Sequence, residues 1–121
     1  MRTVLVIDDS ALMRRMMSNI LMRNGYQIVG EAPNGRIGVD KFKELAPDIV
    51  TMDVIMDEMN GIEALGEIMR LNNKAKVVMV SSMGQEIIVR EAIVAGAKSF
   101  ILKPYDEKLV VDTLSGLFSH T

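Results

Sequence analysis

The chain has 121 residues, one domain's length, and its 14 Lys plus Arg against 16 Asp plus Glu leave a net charge of −2, too little field to hold nucleic acid through its phosphates. It has no cysteine, which excludes disulfides, thiolate metal sites and cysteine nucleophiles, and its single histidine, His120, sits next to the last residue, which argues against a histidine base or a His-rich metal centre. No apolar run approaches the ~18 residues of a membrane span, and MRTVLVIDDS, which ends on two acids, is not a signal peptide, so a monomer in the cytoplasm, with no membrane partner, is expected.

Thr3–Ile7 reads as a strand buried on both faces. A helical segment follows, with Met13, Met16, Met17, Ile20 and Leu21 on one side and Arg14, Arg15, Ser18 and Asn19 on the other; Gly25 is the expected C-cap. Tyr26–Glu31 reads as the second strand. The second helix starts at Asn34-Gly35, carries Val39, Phe42 and Leu45 inward and ends by Pro47. Asp48–Met52 is the third strand, followed by a helix with Ile62, Leu65, Ile68 and Met69 on its apolar side. Lys76–Val80 is the fourth strand, and its helix runs from about Gln85 to Ala95 and stops at Gly96. Ser99–Leu102 and a helix from about Asp106 to Phe118 complete the series. With 11 methionines and only 4% aromatics, Met is expected to fill core space that Phe and Leu usually fill.

Strict alternation of strand and helix implies an α/β fold, a parallel sheet covered by helices on both faces. Right-handed crossovers and five strands favour the doubly wound, flavodoxin-like order 2-1-3-4-5. Ligands of such sheets bind beyond the carboxyl ends of the strands. There the first strand runs into Asp8-Asp9, the third into Asp53, the fourth into Ser81 and the fifth into Lys103-Pro104. Taken singly, Asp9 or Ser10 reads as a helix cap, Asp53 as a loop acid, Ser81 as a cap and Lys103 as a solvated charge. Those readings weaken together, because all these residues fall on one edge. Three crowded carboxylates repel one another. A hard divalent cation relieves this, and Mg²⁺ takes carboxylate oxygens together with phosphate. The acid cluster therefore predicts Mg²⁺, and the lysine predicts an anionic group that the metal alone does not neutralise.

The segments VLVIDDSALMRRMM, PDIVTMDVIM, EMNGIEAL, VVMVSSMGQE and EAIVAGAKSFILKP resemble response-regulator receiver domains over essentially the whole chain, most closely the stand-alone chemotaxis type, CheY. CheY is itself an example of the 2-1-3-4-5 order, so these two expectations share a source. The resemblance implies a single receiver domain over residues 1–121 with no output domain, acting as a signalling switch and not as a conventional enzyme. It implies Asp53 as phosphoacceptor and Asp8, Asp9 and Asp53, with the Ile55 carbonyl, as Mg²⁺ ligands. Ser81 matches the switch hydroxyl, Lys103 the phosphoryl-contacting lysine, and Lys103-Pro104 a cis peptide. Phe100 matches the switch aromatic. Partners implied are a chemotaxis-type histidine kinase, a flagellar motor switch protein and a phosphatase. A second apolar stripe on the fourth helix, Val89 and Ile93, would join Phe100 in the partner face, while Ile88, Ala92 and Ala95 supply the core.

The chemistry stands without the resemblance: a carboxylate accepts phosphoryl as an acyl phosphate, and the transfer needs positioning and positive charge more than a histidine base. A receiver fragment of a larger regulator is the alternative within the family. An aspartate-nucleophile phosphohydrolase fits poorly, because Asp8 and Asp9 are adjacent and the candidate nucleophile follows the third strand. A flavin module fits poorly too, since acidic DDSALM would repel phosphate. Two further expectations rest on loop residues. Apolar Ile55 and Met83, two residues after Asp53 and Ser81, predict slow self-dephosphorylation. Asp57, where the family usually has Pro, predicts a looser loop and poor reaction with small anionic phosphodonors.

Overall fold

The computed structural model describes residues 1–56, 58–82 and 84–118; Asp57 and Met83 lie outside the described residues. Five strands, β1 (Thr3–Ile7), β2 (Gln27–Ala32), β3 (Ile49–Asp53), β4 (Lys76–Ser81) and β5 (Ser99–Leu102), alternate with five helices. The helices are α1 (Ala11–Met22), α2 (Gly35–Leu45), α3 (Gly61–Leu71), α4 (Glu86–Ala95) and α5 (Glu107–Gly116). The sheet is parallel throughout, in the order β2-β1-β3-β4-β5, as the alternation predicts.

The pleat sorts the core into two halves. Leu5, Ile7, Val50, Met52, Val77 and Met79 face Val39 and Phe42 of α2, Leu65 and Ile68 of α3 and Ala92 of α4. Val4, Val6, Ile49, Val78, Val80 and Ile101 face Met17, Ile20 and Leu21 of α1 and Val110 and Leu114 of α5. Each such fully buried aliphatic side chain contributes roughly 1.5–3 kcal/mol of burial free energy. Side-chain caps fix where four helices begin: Ser10, Asn34, Asn60 and Asp106 accept from the N–H groups of Met13, Ile37, Glu63 and Leu109 at 2.8–3.2 Å. Such caps are worth about 1 kcal/mol each. The Gln85 side chain makes no such bond at the start of α4.

Several boundaries differ from the sequence reading. Tyr26 is spent on the turn, its N–H bonding the Leu21 carbonyl at 3.0 Å, so β2 starts one residue later. The C-cap of α1 is Arg23, and Gly25, with φ +90°, reverses the chain two residues beyond it. Asp48 is held outside β3 by Thr3, whose N–H and hydroxyl bond its carboxylate. On α1, Ser18 is buried and Met16 is 44% exposed, the reverse of the sequence expectation. The helix packs against β2 as well as β1, and a small side chain suits that close approach. Helix α5 stops at Gly116, two residues short of the expected end.

Candidate functional site

Sheet register builds the site. Ile7 pairs with Met52, so Asp8 and Asp53 are the next residues on adjacent strands. Asp53 pairs with Val80 and Ser81 with Leu102, so Ser81 and then Lys103 follow one step further across the same edge. Asp53 and Ser81 are thus the last residues of their strands and not the first of their loops. Gly61 lets the start of α3 close over this edge: its N–H bonds the Val54 carbonyl at 2.7 Å, and a Cβ there would strike the Asp53 carbonyl oxygen.

The Lys103 ammonium lies 3.1 Å from Asp8 Oδ2 and 3.2 Å from Asp53 Oδ2. Asp8 Oδ1 accepts the Ser10 N–H at 2.9 Å, and Asp53 Oδ1 accepts the Ile55 N–H at 3.2 Å. Asp8, Asp53 and Ser81 are buried, whereas Asp9 is exposed. One carboxylate oxygen from each of Asp8, Asp9 and Asp53 lies within 4.8 Å of the others. Burial pushes the Asp53 carboxyl up; Lys103 pulls it down and Asp8 pushes it up again, leaving it above its ordinary value. Burial works against the Lys103 ammonium, but Asp53 and Asp8 together outweigh it and hold its pKa above the ordinary lysine range. One ammonium thus faces three carboxylates, an excess of negative charge that suits a hard cation with oxygen ligands.

The response regulator receiver domain profile matches residues 4–115. The chain belongs to that family. It is 53% identical to the chemotaxis protein CheY of Thermotoga maritima over 94% of this chain and 95% of that protein. It is 47% identical to CheY of Bacillus subtilis over 93% of each. Among solved structures it is similar to CheY in the CheX–CheY–BeF₃–Mg²⁺ complex from Borrelia burgdorferi. There the TM-score is 0.96 and the identity 35%, over 98% of this chain and 90% of the other. This is a CheY-like receiver domain.

The receiver edge brings together the five polar residues singled out from sequence, Asp8, Asp9, Asp53, Ser81 and Lys103. The Lys103 backbone N–H bonds the Ser81 carbonyl at 2.9 Å, and Lys103-Pro104 is cis. The Ile55 side chain is 54% exposed at the rim. Phe100 is half-buried against the α2–α4 core half. On α4 only Ala92 is buried; Ile88 and Ala95 are half-buried against the core, Val89 is half-buried, and Ile93 is exposed together with Ile87 and Val94. Sequence reasoning missed Arg14, placed then on the solvent side of its helix. Its guanidinium donates to the Asp8 carbonyl at 2.7 Å and to Glu31 at 3.2 Å. No local pattern signals this, because Glu31 comes from β2.

Proposed function

We propose that this receiver domain is a phosphorylation switch of chemotaxis signalling, in which Asp53 takes a phosphoryl group from the phosphohistidine of a chemotaxis-type histidine kinase. The observation that carries the reading is the Lys103 ammonium shared between Asp8 and Asp53, with the Asp9 carboxylate alongside. An Asp53 carboxylate oxygen attacks phosphorus, the P–N bond to the kinase histidine breaks, and the leaving imidazole keeps the electron pair. The product is an acyl phosphate.

The donor set fits Mg²⁺: three hard carboxylates outnumber the Lys103 ammonium that Asp8 and Asp53 share, and two are already oriented by backbone N–H groups. Asp8, Asp9 and Asp53, with the Ile55 carbonyl, would hold it. When bound, Mg²⁺ supplies positive charge to the phosphoryl oxygens. Lys103 adds a second positive charge and the Ser81 hydroxyl a hydrogen bond, so transfer rests on positioning and charge neutralisation.

Output runs through the side of the sheet that carries Phe100. Drawing Ser81 toward the phosphoryl group shifts a pre-existing equilibrium in the Phe100 side chain and in α4. The partner face includes Val89 and Ile93, and its target is a flagellar motor switch protein. A phosphatase resets the switch. In this reading residues 1–121 work as one receiver domain, and the protein acts as a cytoplasmic monomer.

Asp53→Asn should abolish Mg²⁺-dependent labelling by a cognate kinase; undiminished labelling would refute the assignment. Ile93→Asp should weaken target binding by the phosphorylated protein and leave labelling intact.

A further inference from the structure

Of the three clustered acids, two are held through their side chains. Asp8 is gripped by Lys103 and the Ser10 N–H, and Asp53 by Lys103 and the Ile55 N–H. Among the described residues, no hydrogen bond or ion pair reaches the Asp9 carboxylate, so its place depends on the backbone that carries it. That backbone begins with the planar unit joining the Asp8 carbonyl to the Asp9 N–H. The Asp8 N–H is tied to the Ala32 carbonyl at 3.0 Å, and the Asp8 carbonyl accepts from Arg14 Nη1 at 2.7 Å.

We propose that Arg14 is a positioning residue for Mg²⁺: by holding the Asp8 carbonyl it fixes the peptide plane that aims Asp9 into the metal site, while Glu31 offsets its charge. This rests on the metal-site reading given above. Arg14 has the form for the task. Its side chain is only 19% exposed, and its fork spans two acceptors on different elements, the Asp8 carbonyl and the Glu31 carboxylate. A lysine head on a flexible stem does not reproduce that fork. A bare guanidinium here would repel a divalent cation. Glu31 removes that cost, and its own backbone carbonyl is held in turn by Lys41.

The test titrates the protein with MgCl₂ alone and follows the backbone amide signals of Asp9 and Ile55 by NMR, well below the melting temperature. Arg14→Met keeps the stem and should weaken Mg²⁺ binding about tenfold, the usual cost of losing a group that orients a ligand. Arg14→Lys, with charge but no fork, should stay weakened. Glu31→Gln should bind more weakly than the parent at low salt, and the deficit relative to the parent should narrow at high salt, where screening shortens the reach of the uncovered guanidinium. Arg23→Met breaks a comparable pair with Glu107 at the far end of α1 and should change nothing. If the parent protein does not bind Mg²⁺, the metal-site reading itself falls. If the parent binds and Arg14→Met stays within about twofold of it, or Arg14→Lys restores full affinity, the positioning role falls. Should Arg14→Met fail to fold, parental affinity in both Arg14→Lys and Glu31→Gln overturns the proposal.

Discussion

Two glycines of α3 should respond in opposite directions to the same added methyl group. At Gly61 a Cβ would lie 2.8 Å from Val54 Cα and closer still to the Asp53 carbonyl oxygen. Both are backbone atoms, so neither can swing aside. The loop after β3 must move, or the 2.7 Å bond from the Gly61 N–H to Val54 must stretch. Overpacking of this kind costs about 1–3 kcal/mol, and with backbone as the obstacle the upper half of that range is expected. At Gly66 the nearest atom is Arg70 Nη1 at 3.8 Å, the mobile end of a side chain. There alanine relieves the entropic cost of a mid-helix glycine and should stabilise by about 0.5–1 kcal/mol. The two variants should therefore differ by roughly 2.5–4 kcal/mol. In a domain of this size each kcal/mol moves the melting temperature by roughly 3–6 °C. Urea denaturation measures the difference directly. Kinase labelling adds a second axis: Gly61→Ala displaces the Asp53 backbone and should slow labelling, and Gly66→Ala should not. Equal stability of the two variants, or a Gly61→Ala protein within about 0.5 kcal/mol of the parent, would refute the claim that α3 is closed hard against the Asp53–Val54 backbone.

Because burial holds the native Asp53 carboxyl above its ordinary 3.8, this group binds more protons in the native state than in the unfolded chain. Stability without divalent cations should then fall as pH rises from that value through the raised native one; Asp53→Asn should remove this fall, and denaturation midpoints across a pH series would reveal an unchanged slope. Mg²⁺ at a hundred times its Kd should stabilise the protein by about 2.7 kcal/mol, and a chelator should reverse this; Asp9→Asn should blunt the gain. Ile55 at the rim offers no hydrogen bond to an attacking water, so Ile55→Asn should speed loss of phosphate, and an unchanged half-life would discount that position.

The alternation of strand and helix and the five polar residues at strand ends were legible because each is a local pattern. The period of two fixes the faces of Val4, Leu5, Val6 and Ile7, and a parallel sheet delivers every strand's last residue to one edge. What was not legible depended on other elements. Whether Asp53 ends a strand or starts a loop is decided by its partner Val80 on β4. Ser18 is buried and Met16 exposed on a helix that packs against β2 as well as β1, a tertiary arrangement that helical spacing does not contain. Arg14 looks like a solvated charge until β2 brings Glu31 beside it.

The thin packing of α4 has a consequence for the timing of its motions. A helix with one fully buried residue and no side-chain cap at Gln85 loses little when it detaches from the sheet. Its amide hydrogens should therefore exchange with solvent through partial openings far cheaper than global unfolding, while those of β1 and β3 await the whole transition. The segment that carries Val89 and Ile93 should then open as a separate cooperative unit. A partner that seizes it in one arrangement would reveal itself first as slowed exchange along α4, with the central strands unchanged.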